Sequence, residues 1–176
     1  PVALKLDGAK FLHKSDVGGV VLDLRTPEAA REAAERLTGV ARRASPDAPW
    51  RFLVQRMAAR GTELVMGVRA DPVFGPLIVV GLGGIYVEIL KDVRFGLVPL
   101  TPVLARRMVS RLRGFPLLKG ARGGAPVDLQ AVEETLLRLS MLVEQEPSVA
   151  EIEMNPVMAR ADGVEAVDCR LRVAPA

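Results

Sequence analysis

The stretch Leu12-His13-Lys14-Ser15-Asp16-Val17-Gly18-Gly19-Val20 carries the strongest indication of the fold, and it holds the chain's single histidine. A glycine pair lets the backbone turn sharply and approach a ligand closely, and an apolar strand is expected to follow. Histidine readily acts as a nucleophile or carries a proton near neutral pH. The stretch therefore favours a phosphate-handling loop, although a lone loop histidine is more often a surface or hydrogen-bonding residue.

The composition bounds the class of protein. The chain has 176 residues, of which 49% are apolar and 26% are charged, as is usual for one soluble globular domain. A formal net charge of +3 and 4% aromatic residues argue against a base-stacking surface for nucleic acid. One cysteine, the lack of a signal peptide and the lack of a membrane-length apolar run predict a cytoplasmic protein with no membrane partner.

Capping residues, prolines and apolar spacing predict three helices among short strands. Thr26-Pro27 and Thr101-Pro102 each place a capping side chain before a proline, which is the pattern of a helix start. A third helix follows Asp128, and its apolar residues recur at intervals of three and four from Leu129 to Val143. Apolar stretches bounded by glycine and proline predict strands at 2–6, 17–24, 52–57, 63–69, 77–80, 86–89, 151–154 and 164–173. This order predicts an α+β fold with a largely antiparallel sheet.

The segment Glu153-Met154-Asn155-Pro156, together with Asp168, is the best candidate for a metal site. Mg²⁺ favours one or two hard oxygen ligands in addition to nucleotide phosphates. The sequence predicts Asn155 at the mouth of a hairpin and Asp168 on the polar face of the returning strand, so the two could meet at one ion. An Asn-Pro turn with an unrelated surface aspartate is the open alternative.

Other patterns have both a functional and a plain interpretation. Gly81-Leu82-Gly83-Gly84 is neither a P-loop nor a dinucleotide-binding motif, and an ordinary hairpin explains it. The charges of Lys91 and Asp92 follow an apolar strand and could be solvated surface. Residues 93–127 contain seven basic residues and no acid, which predicts phosphate contacts, an acidic partner surface or a solvated helix face. Within this segment, the cationic glycine loop at 119–124 has no role in a core. Contact with phosphate or substrate is therefore as good an interpretation of the loop as a plain surface loop. We expect core positions for four sulfur-containing residues: Met57, Met108, Met141 and Cys169.

Taken together, these segments resemble the ATP-grasp domain of ADP-forming (NDP-forming) acyl-CoA synthetases, the acetate-CoA ligase type related to succinyl-CoA synthetase. Six motifs occur in the family's order and cover nearly the whole chain. They are Pro1-Val2-Ala3-Leu4-Lys5, His13 to Val20, Asp71-Pro72-Val73-Phe74-Gly75-Pro76, Gly81-Leu82-Gly83-Gly84-Ile85 with Glu88 and Asp92, Gly120-Ala121-Arg122-Gly123, and Glu153-Met154-Asn155-Pro156 with Asp168.

The resemblance implies an ATP-grasp fold, in which two α+β subdomains grip a nucleotide. We expect residues 1–176 to form a single such domain that lacks its N-terminal portion and is a fragment of a longer chain. The implied cofactors are ATP or ADP and Mg²⁺. The implied nucleotide-binding residues are Lys5, which would neutralise phosphates, Val54, Gln55 and Met57 at an adenine-contacting hinge, and Gly83, Gly84 and Arg122.

The resemblance also implies a catalytic route. Asn155 and Asp168 would hold Mg²⁺, and His13 matches the histidine that such synthetases are thought to phosphorylate. The phosphoryl group would come from an acyl phosphate through a histidine of a separate CoA-ligase portion, and would then pass to ADP. The overall reversible reaction converts acyl-CoA, ADP and phosphate to acid, CoA and ATP. Because that partner portion is not in this sequence, we expect this chain alone to lack full turnover.

Two competing functions remain at this stage. Similar domains are fused to GNAT-type protein acetyltransferases, where the ligase-like part senses a ligand. A pure sensor need not keep His13, Lys5, Asn155 and Asp168 together, which favours the enzyme. Nucleic-acid binding through the arginines is the third interpretation, and the scarcity of aromatic residues and of a known motif disfavours it.

Overall fold

The computed structural model describes residues 1–11, 14, 17–84 and 91–174, with Arg122 described by its backbone alone. His13 and the predicted strand at 86–89 lie outside the described residues. The chain divides into two compact units, Pro1–Met57 and Ala58–Ala176. This division agrees with the two subdomains that the ATP-grasp expectation requires.

Unit 1 is a three-stranded antiparallel sheet with one helix. Its elements are β1 (Val2–Asp7), β2 (Val20–Leu24), α1 (Pro27–Ala44) and β3 (Arg51–Arg56), and the strand order is β2-β1-β3. The Thr26 side chain accepts a hydrogen bond from the Ala29 amide at 3.1 Å, which confirms the predicted helix start. Helix α1 buries Leu37 in the core of this unit.

Unit 2 contains a six-stranded antiparallel sheet and three α-helices among its described residues. The strands are β4 (Thr62–Asp71), β5 (Gly75–Leu82), β6 (Val93–Leu97), β7 (Val149–Arg160), β8 (Gly163–Ala166) and β9 (Cys169–Val173). The helices are α2 (Pro102–Ser110), α3 (Phe115–Leu118) and α4 (Leu129–Gln145), with a 3₁₀ turn at Ala121–Gly123. The strand order is β6-β5-β4-β7-β8, and β9 also pairs with β7. The predicted antiparallel α+β class is confirmed.

The helices of unit 2 cover one face of this sheet. Alternate residues of the central strands, such as Met66 and Val80, are fully buried in the same core cluster as Leu136 of α4. The intervening residues Val65 and Val79 are only half-buried. Because side chains alternate across a strand, the second face of the sheet is the more open one.

Two of the predicted core positions are wrong. Cys169 is exposed, because β9 lies at the margin of the sheet and pairs with β7 alone among the described strands. Met141 is 55% exposed on the outer side of α4, whereas Met108 is buried as predicted. No helix in the described part of the chain is long and apolar enough to cross a bilayer.

Candidate functional site

Asn155 and Pro156 lie inside a continuous strand, so the prediction that they form the hairpin turn is wrong. Strand β7 runs through them and turns only beyond Arg160. Leu64 and Met66 of β4 pair with Val157 and Met154, so three steps along β7 match two along β4. This is a β-bulge, and proline is tolerated at a bulge because no ladder hydrogen bond is needed from its nitrogen.

The bulge determines which way Asn155 faces. Before it, the core-facing residues of β7 have even numbers, such as Ile152, and after it they have odd numbers, such as Val157. The two residues between Met154 and Val157 therefore fall opposite the helix-covered face. A bulge is a common way to redirect a side chain toward a functional site.

Asn155 of β7 lies directly opposite Asp168, the residue that immediately precedes β9. The Asn155 amide donates to the Asp168 carbonyl oxygen at 3.1 Å, and the Val167 amide donates to the Pro156 carbonyl oxygen at 2.9 Å. Asn155 is exposed and Asp168 is half-buried. The two predicted residues are therefore backbone partners, and the meeting of their side chains at one ion stays a prediction.

The neighbouring positions on the same strand pair are charged. Arg170 pairs with Glu153 at 3.9 Å, and Arg172 pairs with Glu151 at 3.1 Å. Each glutamate is an even number of residues before Asn155, so it shares the open face of the sheet. Arg170 and Arg172 alternate with Cys169 in the sequence, but their partners could not be identified without the register of β7 and β9.

The donors at this position fit a magnesium ion that binds together with a nucleotide. In the described ranges, no three His, Cys, Asp or Glu side chains are grouped to hold a metal. A pair of hard oxygen donors is nevertheless what Mg²⁺ uses when phosphates and waters complete its octahedron. Asn155 and Asp168 are such a pair.

A cavity of about 790 Å³ lies at the end of the same sheet, within unit 2. It brings the predicted Gly83 and Gly84 together with Ala121 and Gly124 of the glycine loop. The Gly83 amide donates to the Glu63 carbonyl oxygen at 2.7 Å, which fixes the glycine turn against β4. The volume is in the range of small-molecule sites.

The charged residues of this cavity were not predicted from the sequence. Arg60, Glu63 and Arg160 line it. Asp162 at 3.0 Å and Glu165 at 3.1 Å hold the Arg160 guanidinium and raise its pKa further. These residues come from separate segments with no shared motif, so only the fold groups them.

Asp92 has a structural role, contrary to the interpretation that it belongs to solvated surface. It is 2% exposed, and its carboxylate accepts the amides of Arg113 at 2.9 Å and Gly114 at 2.8 Å. The Arg94 guanidinium lies 3.6 Å away. Asp92 therefore fixes the junction between α2 and α3, while Lys91 is exposed as that interpretation requires.

Three of the predicted residues of unit 1, namely Lys5, Val54 and Gln55, lie on its sheet. Lys5 is 5% exposed on the central strand, and its register partner on β3 is Leu53. Val54 and Gln55 follow Leu53 on β3, opposite Leu4 and Ala3. The Met57 amide donates to the Pro1 carbonyl oxygen at 3.1 Å, at the end of unit 1.

A family model described as an ATP-grasp domain matches residues 1–173. The chain belongs to the ATP-grasp family. Relatives of this chain within that family are ligases. One is subunit beta of acetate–CoA ligase [ADP-forming] I from Pyrococcus furiosus, which is 40% identical over 172 residues. The match covers 97% of this chain and 74% of the relative. The recognition made from the motifs is confirmed.

Solved structures agree with the ATP-grasp assignment. An acetyl-coenzyme A synthetase from Ca. Korarchaeum cryptofilum, in complex with coenzyme A and Ca-AMPCP, matches with a TM-score of 0.93 and 38% identity. The match covers 98% of this chain and 76% of that one. The same enzyme in complex with coenzyme A and Mg-AMPPCP matches with a TM-score of 0.83 and 36% identity, covering 98% and 76% of the two chains.

Proposed function

We propose that this chain is the nucleotide-binding, phosphoryl-transfer portion of an ADP-forming acyl-CoA synthetase. The observation that carries the proposal is the bulge in β7, which sets Asn155 opposite Asp168 on the open face of the sheet. The relatives named above are ADP-forming acetate–CoA ligases and acetyl-coenzyme A synthetases. They favour the ligase over the ligand-sensing alternative.

In unit 2, we propose that Asn155 and Asp168 hold Mg²⁺ together with the nucleotide phosphates. The metal would supply neutralisation of phosphate charge. Glu153 adds a second carboxylate to the same face, and Arg170 holds it in place. Gly84 is proposed to contact phosphate with its backbone amide and Arg122 with its guanidinium. Gly83, whose amide already donates to Glu63, is proposed to let the anion approach closely, as a glycine turn allows.

In unit 1, we propose that Lys5 neutralises nucleotide phosphates. Lys5 is only 5% exposed on the central strand, and its ammonium group is a suitable counter-charge for phosphate. The backbone of Val54, Gln55 and Met57 is proposed to contact adenine. Since the Met57 amide already donates to Pro1, we expect the other backbone groups of this segment to make those contacts.

We propose His13 as the residue that carries the phosphoryl group. An imidazole nitrogen would attack the phosphorus of an incoming phosphoryl donor. A phosphoramidate N–P bond would form while the donor's own bond to phosphorus breaks, and the donor would leave with that electron pair. In the next step the terminal oxygen of ADP attacks phosphorus, the N–P bond breaks, and ATP leaves with a neutral imidazole remaining. Phosphoryl transfer depends mainly on positioning and charge neutralisation, which the cationic and amide groups named above supply. The donor would be a partner carrying the CoA-ligase chemistry.

Isothermal titration calorimetry with Mg-ADP and Mg-ATP tests this proposal. We expect magnesium-dependent binding, and we expect Asp168→Ala and Asn155→Ala each to weaken it at least about tenfold, the loss typical of a disturbed metal site. Asp47→Ala is the control, because this exposed aspartate lies in unit 1 and does not line the cavity. Binding that is equal in all three variants, or that needs no magnesium, would contradict the proposed site.

Labelling with [γ-³²P]ATP then tests the histidine. We expect acid-labile, base-stable label in the wild-type chain and none in His13→Gln. Label that persists in His13→Gln would transfer the carrier role to another residue.

A further inference from the structure

The arginine-rich segment between residues 93 and 127 has no place in the proposed nucleotide site apart from its glycine loop. Two of its elements, β6 and α2, enclose a groove of about 330 Å³. Six residues define its character: Phe95, Leu97, Leu104, Arg94, Arg107 and Arg111. Among the described residues that line it, no side chain is acidic.

The apolar part of the groove is exposed to an unusual degree. Phe95 is 55% exposed, Leu97 is 53% exposed, and Leu104 of α2 is 40% exposed. Single exposed apolar residues are ordinary, but several large ones around one depression mark an interaction surface. Below them, Met108 packs on Gly96 so closely that a Cβ at Gly96 would lie 2.5 Å from the Met108 sulfur. The floor of the groove is therefore well packed.

The cationic part of the groove is presented by one face of a helix. Arg107 and Arg111 are one turn apart, and Leu104 precedes them by three and seven residues, so the three share a face. Both arginines are exposed, and no ion pair among the described residues includes either of them. Arg94 is already engaged, because it lies 3.6 Å from Asp92 and donates to the Arg111 carbonyl oxygen. Arg107 and Arg111 are thus the charges that a partner would meet.

The strand on the other side of the groove offers an edge. Strand β6 pairs with β5, and no second strand in the described part of the chain lies beside it. An exposed edge next to apolar side chains can accept an extended peptide. A phosphate or nucleic acid would use the arginines but would leave Phe95, Leu97 and Leu104 in water.

We propose that this groove is a docking site for a segment of a partner polypeptide in which carboxylates alternate with large apolar side chains. The carboxylates would pair with Arg107 and Arg111, and the apolar side chains would cover Phe95, Leu97 and Leu104. A symmetric pairing with a second copy of this chain is a poorer fit, because it would bring the arginines of two grooves together. The inference is independent of nucleotide binding.

The test uses a short fluorescein-labelled peptide in which glutamate and leucine alternate, followed by fluorescence anisotropy with the whole chain. We expect saturable binding that the double variant Arg107→Glu/Arg111→Glu weakens at least about tenfold, as the loss of a charged contact does. Leu104→Ser is expected to weaken it as well. The matched control is Arg31→Glu/Arg36→Glu, which makes the same change of charge on exposed positions of α1.

Comparison peptides separate the possible occupants. A glutamate–serine peptide that binds as tightly as the glutamate–leucine peptide would overturn the proposal in favour of simple anion attraction. Competition by inorganic tripolyphosphate as effective as that by unlabelled peptide would do the same. Sedimentation velocity tests for self-association, and self-association that Arg107→Glu/Arg111→Glu abolishes would assign the groove to a second copy. If the groove variant and the control variant bind the peptide equally well, the peptide site lies elsewhere and the proposal is overturned.

Discussion

Replacement of Asp92 by alanine should destabilise unit 2 strongly. The buried carboxylate accepts the amides of Arg113 and Gly114, and hydrogen bonds to a charged group are worth about 1.5–3 kcal/mol each. Removal of one partner of a buried pair costs about 3–5 kcal/mol. Because the Arg94 side chain is 33% exposed and can turn toward water, we expect the lower end, about 3 kcal/mol, for Asp92→Ala. Urea denaturation followed by far-UV circular dichroism measures the free energy of unfolding.

Two further variants make the test of Asp92 specific. Asp92→Asn keeps one acceptor oxygen, so it should cost about half as much, near 1.5 kcal/mol. Asp162→Ala removes an aspartate that is 76% exposed and paired with Arg160, and it should cost less than about 1 kcal/mol. If Asp92→Ala costs no more than Asp162→Ala, or if the asparagine variant costs as much as the alanine variant, the carboxylate does not hold the α2–α3 junction as argued here.

Three further predictions concern the scaffold. Gly114→Ala should lower the free energy of unfolding by about 2 kcal/mol in the same urea assay, because its Cβ would overlap the buried Leu82 side chain, and an unchanged midpoint would contradict this. The Phe74 amide, followed by that of Val73, holds the pKa of Asp71 below its ordinary value. The turn after Asp71 is therefore stabilised at pH values above the ordinary aspartate pKa, and it loses that stabilisation as the pH falls through the lowered pKa of Asp71. A carboxyl ¹³C titration should give a midpoint below the ordinary aspartate value. Thr26→Ala should cost about 1 kcal/mol through loss of the α1 cap, and no change would show that the cap is dispensable.

The helices were predictable because their signals are local. Thr26, Thr101 and Asp128 each cap the helix that the sequence places after them. The apolar spacing from Val132 to Val143 likewise predicts the buried face of α4. These features depend on neighbours within a few residues along the chain, so one sequence is enough to find them.

The direction of Asn155 was not predictable, although its identity as a candidate was. An Asn-Pro pair usually indicates a turn, and here a bulge accommodates it because β4 pairs with β7 both before and after the segment. The exposure of Cys169 has a similar origin. The alternation of apolar and polar residues predicts which residues share a face of a strand, but it does not predict how far the helices cover that face. Burial of Asp92 depends on amides 21 and 22 residues away. Each of these outcomes is set by long-range contacts.

The most direct test of the account is electron paramagnetic resonance of Mn²⁺, used in place of Mg²⁺, with ADP and the whole chain. We expect the wild-type chain to immobilise Mn²⁺ only when ADP is present, because Asn155 and Asp168 are proposed to supply two ligands and phosphates would have to supply others. Asp168→Asn should release the ion, and Asp47→Asn, at an exposed position of unit 1, should retain it. Immobilised Mn-ADP in Asp168→Asn at the wild-type level would contradict the assignment of the metal to this strand pair.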